Sequence, residues 1–239
     1  MRYYLYKLQF EAPVRFGSLA GGAQLSHSEM TCGSETLFSA LCREYATHFG
    51  QSEMAGFIRR FEDRQILLSD LMPYRNHEPG SKEALNELYI PVPLLRGNPG
   101  KRESQSFKEA REAIANRKKN KSVRFISIEK VKDFAAALTR GEMPQLDQPS
   151  FGSTTIQNRV GLTGAKSEPY LVSGYKFAEG SGLYFVVGLE DEAFHDTFDQ
   201  LVRMLGLSGI GGKRSSGFGR FHIDDREDGL AIEMDDVGL

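Results

Sequence analysis

Leu207-Ser208-Gly209-Ile210-Gly211-Gly212-Lys213-Arg214-Ser215-Ser216-Gly217-Phe218-Gly219-Arg220 joins a helical pattern to a strand pattern. Upstream, Phe194, Phe198, Leu201, Val202 and Leu205 recur at helical spacing, with Asp191 as the helix start. Downstream, Gly217 to Asp224 reads as a strand. Five glycines fall between positions 209 and 219. Glycine permits positive φ and close backbone approach. Successive N–H groups of such a loop form an anion-binding nest. Lys213 and Arg214 add charge, and Ser215 and Ser216 add hydroxyl donors, so the loop suits phosphates. The competing interpretation is a plain helix-to-strand turn with basic residues in solvent. A P-loop is excluded: it needs Ser or Thr after its lysine, and it runs from strand to helix. The dinucleotide fingerprint fails on the same order of elements.

Working outward, Arg2 to Glu11 alternates with Tyr4, Tyr6, Leu8 and Phe10 and reads as a strand ended by Ala12-Pro13. Gly17 to Gly33 is a long polar loop with four glycines, and long ordered loops carry function. Ser34 is a helix N-cap by type, with Glu35 in the first turn and Leu37, Phe38, Leu41 and Tyr45 on one face. A short helix follows at Ser52 to Glu62. Gln65 to Pro73 and Leu88 to Leu95 read as strands, Arg96 to Arg102 as a loop and Ser104 to Lys119 as a polar helix. The basic end of that helix, Asn116 to Lys121, reads as mobile. Val123 to Ile128 is a strand and Ile128 to Leu138 a helix closing near Gly141.

Ser150 to Lys166 is either an extended hairpin or an ordered loop. Tyr170 to Phe177 and Gly182 to Leu189 pair as a hairpin turning at Glu179-Gly180-Ser181. Leu230 to Met234 is a possible last strand. Without the insertion at about 97–168, the order is βαββαβ: an α+β, ferredoxin-like or RRM-like domain over 1–223, with the glycine-rich loop before its last main strand. Such a sheet often presents one open face to single-stranded RNA.

The chain has 239 residues and a net charge of −2, with 40% hydrophobic and 26% charged residues, ordinary globular values. Charge is uneven. Lys101 to Lys130 holds ten Lys/Arg against four Asp/Glu, a local polyanion site or a solvated helix face. The acidic segment 224–239 has seven carboxylates against Arg226. Cys32 and Cys42 alone make no disulfide framework, and His48, His77, His195 and His222 show no metal-ligand spacing, so neither metal nor cofactor is expected. No apolar run has membrane-helix length and the N-terminus lacks a signal-peptide core, which gives a cytoplasmic expectation.

The glycine loop from Gly209 to Arg220 resembles that of the RAMP superfamily, the RRM-fold proteins of CRISPR systems. Phe10-Glu11-Ala12-Pro13-Val14-Arg15-Phe16-Gly17, with Ser34-Glu35-Thr36-Leu37-Phe38-Ser39-Ala40-Leu41, resembles the start of the fourth Csm subunit of type III-A effector complexes. Thr155-Ile156-Gln157-Asn158-Arg159-Val160-Gly161-Leu162-Thr163-Gly164 and Gly180-Ser181-Gly182-Leu183-Tyr184-Phe185 resemble later segments, in the same order. The family continues well beyond the strand after this loop, so the chain reads as a short or truncated member.

The resemblance implies a non-catalytic subunit in antiviral defence. It would hold the 5′ tag of the CRISPR RNA and bridge a large polymerase-like subunit to backbone RAMP subunits. Gly209, Gly211, Gly212, Lys213, Arg214, Ser215, Ser216, Gly217 and Arg220 would touch RNA backbone. Arg159 and Lys166 would sit on a thumb-like hairpin along the RNA, and His27, in the loop after the first strand, would also contact RNA. Related subunits that cut target RNA carry an aspartate in the loop after the first strand. Between Gly17 and Gly33 this chain has Glu29 and His27 and no aspartate. The enzyme alternative is a metal-independent endoribonuclease processing precursor CRISPR RNA, with His27 as general acid or base and Tyr45 or Lys213 assisting. A second alternative is a scaffold without RNA contact. Phe16, Phe151 and Phe218 are candidates for base stacking, and core packing is the competing role for each.

Overall fold

A computed structural model describes residues 1–17, 27–76, 86–95, 107–140, 142, 144–147, 149–163 and 166–223. Most of the loop 18–26, the 96–106 segment, His77 and the acidic segment with Leu230 to Met234 lie outside them. The chain divides into two units, one of residues 1–84 and 151–239 and one of residues 85–150. The segment expected as one insertion is thereby split: its C-terminal hairpin belongs to the first unit.

The first unit is an antiparallel sheet carrying helices. Strand β1 (Arg2–Phe10) pairs along its length with β8 (Ser181–Leu189), from Arg2 opposite Leu189 to Leu8 opposite Leu183. On the other side of β1 lies β9 (Phe221–Ile223). The free edge of β8 takes two short strands in line, β2 (Ile66–Leu68) and β3 (Met72–Asn76). Every pairing is antiparallel. Helix α1 (Ser34–Phe49), followed by α2 (Met54–Glu62), links β1 to β2. Helix α5 (His195–Ser208) links β8 to β9. This is the βαββαβ plan, with each helix connecting two parallel strands across the one between them. The expected single strand from Gln65 to Pro73 is two, broken by Ser69-Asp70-Leu71.

The burial pattern follows from these neighbours. Strand β8 has a partner on both edges and is buried at eight of nine positions, so it reads as a continuous apolar run. Tyr6 stacks on Phe185 at 5.2 Å, and Phe198 of α5 closes over both rings. Leu37, Leu41, Phe198, Leu201, Val202 and Leu205 are wholly buried between helices and sheet. Asp191 caps a 3₁₀ turn, its side chain accepting from the Ala193 amide at 3.0 Å, before α5 proper.

Two expectations are corrected. Ser34 is not the N-cap of α1: Gly33 holds that position, and the Asp70 carboxylate accepts from the Ser34 amide at 2.8 Å. A carboxylate at a helix N-terminus does the capping work from a distant loop. Second, 170–177 does not pair with 182–189. Strands β6 (Gly152–Thr163) and β7 (Lys166–Phe177) pair over twelve residues, from Gly152 opposite Phe177 to Thr163 opposite Lys166. The turn after β7 is present, closed by the Ser181 amide on the Ala178 carbonyl at 3.0 Å, but it delivers β8 to the central sheet instead. Strand β8 is too apolar to serve half-solvated in a projecting ribbon.

The second unit contains β4 (Asn86–Pro91), α3 (Phe107–Asn120), β5 (Phe125–Ser127) and α4 (Ile128–Thr139). Strands β4 and β5 pair, and Val123, Ile126, Phe134, Leu138 and Leu146 form its core. The basic end of α3, expected to be mobile, is tied down. The Asn120 amide side chain donates to the Pro144 carbonyl at 2.7 Å and accepts from the Leu146 amide at 3.0 Å. Among the described residues no helix is long and apolar enough to cross a membrane.

Candidate nucleic-acid interface

The glycine loop starts where α5 ends. The Gly209 amide donates to the Leu205 carbonyl at 2.7 Å, with φ at +82°. The loop then runs alongside the segment after β1. Arg15 bridges Gly211, and the Gly212 amide donates to the Arg15 carbonyl at 2.7 Å. A Cβ at Gly211 would stand 2.5 Å from that carbonyl oxygen, at φ +86°, so only glycine permits this approach. Further on, the Ile210 amide reaches the Gly219 carbonyl at 3.0 Å and the Gly219 amide the Pro13 carbonyl at 2.9 Å.

These bonds give the glycines a packing role. The amides of Gly209, Ile210, Gly212, Ser216, Gly217, Phe218 and Gly219 all donate to backbone carbonyls, so the phosphate-nest role rests on the segment Lys213 to Ser215.

Arg214 is likewise engaged. Its Nη1 donates to Glu44 Oε1 at 3.3 Å and to the Gly209 carbonyl at 3.2 Å. Glu44, on α1, has a side chain only 5% exposed. It also accepts from Ser208 Oγ at 2.9 Å and has His48 Nε2 at 3.6 Å. One buried carboxylate thus ties α1, the end of α5 and the loop together. Its place on the helix carries a sequence signal that the apolar face hid: Leu37, Leu41 and Glu44 fall on one stripe.

The opposite side of the loop meets the β6–β7 hairpin. Lys213 Nζ lies 5.2 Å from the Tyr170 ring centre, and the Arg159 guanidinium lies 5.6 Å from that of Phe218. Such contacts contribute about 0.5–1 kcal/mol at exposed sites. The hairpin base is bonded to the segment after β1, Val14 and Tyr175 exchanging amide–carbonyl bonds at 2.9 and 2.8 Å. Arg159 also donates to Gln157 Oε1 at 3.0 Å. The loop is therefore a junction holding α1, the segment after β1 and the hairpin in fixed register.

Beside this junction opens a cleft of about 450 Å³. It is lined by Arg15, Phe16 and Gly17, by Glu35, Thr36, Ser39, Ala40 and Arg43 of α1, and by Gly211, Gly212 and Arg214, with Cys32 among them. The lining thus includes three arginines, two hydroxyl residues and one glutamate, with the Arg214 guanidinium already bonded to Glu44. Guanidinium forks match phosphate oxygens in pairs. Burial pushes the Cys32 thiol well above its ordinary range, and the Glu35 and Asp70 carboxylates add to the shift. Cys32 is thus a protonated thiol at neutral pH and no nucleophile.

Of the residues singled out in the sequence, Gly211, Gly212 and Arg214 line the cleft. Lys213 faces the hairpin, and Arg159, on β6 of that hairpin, faces the loop. Ser215, Ser216 and Arg220 are exposed and Gly217 half-buried. Lys166 opens β7, and its side chain lies outside the described residues. His27 is outside the cleft lining, its Nε2 3.1 Å from Glu29 Oε1. Tyr45 stacks on Phe57 at 4.3 Å and on Phe49 at 4.6 Å. Phe16, Phe151 and Phe218 are at most 2% exposed and belong to the core. Arg15, Thr36, Ser39 and Arg43 were not recognised, because only the fold brings them to the loop.

No family model matches the sequence. The CRISPR system Cms protein Csm4 of Streptococcus thermophilus is 25% identical over 236 residues, covering 99% of this chain and 68% of the relative. The protein of the same name from Mycobacterium tuberculosis (strain CDC 1551 / Oshkosh) is 25% identical over 216 residues, covering 89% and 62%. The chain thus spans about two thirds of the length of these relatives. Among solved structures, a Csm1-Csm4 cassette in complex with cA4 superposes with a TM-score of 0.57 at 19% identity, over 86% of this chain and 66% of that one. A Csm3-Csm4 subcomplex of the type III-A CRISPR-Cas interference complex gives 0.51 at 18% identity, over 93% and 68%. The chain is thus similar to Csm4 proteins along nearly its whole length and shares the fold of the solved Csm4 chains.

Proposed function

We propose that the chain is a non-catalytic subunit of a type III-A CRISPR effector complex that holds the 5′ tag of the CRISPR RNA. In this role it links the large subunit to the backbone RAMP subunits. The observation that carries the reading is the cleft, lined by Arg15, Arg43 and Arg214 beside the rigid glycine-loop junction, with Arg43 exposed. A preformed cluster of guanidiniums recognises phosphodiester oxygens at little ordering cost. Solved relatives of the same fold are assembled with Csm1 and with Csm3, which supports the bridging role. The nuclease reading draws no support from His27, which is exposed beside Glu29 and apart from the guanidiniums.

Arg43 is the cleft arginine best suited to a test, because its side chain is exposed. Arg43→Ala is expected to weaken binding of tag-containing RNA by about tenfold, with a log–log salt slope shallower by about 0.7 for one phosphate contact. Fluorescence anisotropy at several salt concentrations reads both. Equal affinity and slope in the variant contradict the cleft as the RNA site. Metal-independent cleavage of repeat RNA by the wild type, lost in His27→Ala, would favour the nuclease instead.

A further inference from the structure

The strongest charged surface outside the cleft lies in the second unit. Five cations, Arg117, Lys118, Lys119, Lys121 and Arg124, fall within eight residues with no carboxylate among them. Lys118, Lys119, Lys121 and Arg124 are exposed. The negative end of a helix favours one or two nearby cations. It does not account for a run that continues past the helix end to β5.

The run is also held in place. Asn120 is bonded to Pro144 and Leu146, and Ser122 Oγ donates to the Lys119 carbonyl at 2.7 Å. Val123 is anchored in the core of the unit. Lys119 Nζ lies 3.1 Å from Asp147 Oδ1. Hydrogen bonds from Lys119 and Gln145 hold the Asp147 carboxyl below its usual range, and Lys130 lowers it further. Lys119 at the end of α3 is thus held against Asp147, and Lys118, Lys121 and Arg124 are exposed around it in sequence.

The face lacks a stacking platform among the described side chains. Tyr89, Phe125 and Phe134 of this unit are 5–7% exposed and packed inward. A polyanion meeting this face would be held through its phosphates, without base readout.

We propose that Lys118, Lys119, Lys121 and Arg124 form a second RNA-binding surface, which takes the phosphodiester backbone of single-stranded RNA independently of sequence. The proposal does not rest on the cleft.

The test uses the full chain, a fluorescent single-stranded RNA of about thirty nucleotides without the tag sequence, and a salt series. Lys118→Glu with Lys121→Glu, both on exposed positions, is expected to lower affinity by about tenfold and flatten the slope by about 1.4, the loss of two phosphate contacts. Asp147→Asn removes the carboxylate facing Lys119, and is expected to raise affinity about twofold. The opposite signs separate a charge effect from misfolding, which weakens binding in both variants. Unchanged affinity and slope in the double variant overturn the proposal, even if that variant loses an acidic protein partner. Arg43→Ala measured alongside keeps the two surfaces distinguishable, since either can fail alone.

Discussion

Gly219→Ala is expected to destabilise the first unit by about 4 kcal/mol, combining backbone strain with overpacking. Gly219 has φ +74°, and a Cβ there would stand 2.0 Å from the Ile210 carbonyl oxygen and 2.9 Å from its amide nitrogen. Both neighbours are backbone, so neither can rotate away. Relief requires breaking the Ile210–Gly219 bond and moving the loop off Pro13, whose carbonyl holds the Gly219 amide. Gly217→Ala is the control. Its φ is +83°, but nothing lies within 4 Å of an added Cβ. The strain term alone applies there, about 1–2 kcal/mol. Urea unfolding of the two variants reads the difference. Equal losses would mean that close packing between the two arms of the loop does not matter.

The second large effect comes from Glu44. Glu44→Ala leaves the Arg214 guanidinium, 15% exposed, without its carboxylate, at a cost of about 3 kcal/mol. Arg214→Ala strands a carboxylate that is 5% exposed, at a similar cost. If the pair acts as a unit, the double variant loses much less than the two single losses added together, a coupling of about 2 kcal/mol. Thermal or urea unfolding of the cycle measures it. Arg214 is thereby a poor first choice for testing RNA contact, because its loss disturbs the junction as well as the charge. Arg43, on the same cleft, has no such structural task.

These two sites show why the sequence is only partly legible. The βαββαβ order could be read because helix and strand periods and turn residues are local signals: α1, α5, β1 and β8 each advertise themselves within a dozen residues. The helix-to-strand placement of the glycine loop followed from the same signals. What the glycines are for did not, because Gly211 and Gly219 face carbonyls supplied by Arg15 and Ile210. Asp70 caps a helix 36 residues earlier in the chain, which no local pattern shows. The pairing of β6 with β7 was obscured by polar, glycine-interrupted sequence in β6, while the apolar run of β8 drew β7 towards the wrong partner. Glu44 could have been flagged, since a carboxylate on the buried stripe of a helix demands a partner. Arg15 and Arg43 could not, since 27 residues separate them and only the fold brings both beside the loop.

The proposed anion site would be local in a chain of near-zero net charge: net charge is −2, and the cleft lining includes Arg15, Arg43 and Arg214 with Glu35, Arg214 being paired with Glu44. What matters for a bound phosphate is this local field. The backbone bonds of the loop hold it in place before any ligand arrives, so little ordering entropy opposes binding.

The central claim is that this chain holds the 5′ end of a CRISPR RNA within an effector complex. Its most direct test is affinity purification of the chain from its own cells, followed by mapping the 5′ ends of the co-purifying RNA. The predicted result is a population of short CRISPR RNAs that share one 5′ end inside the repeat, retained at low salt and depleted by Arg43→Ala. Recovery of no RNA, or of RNAs whose 5′ ends are scattered, would contradict it.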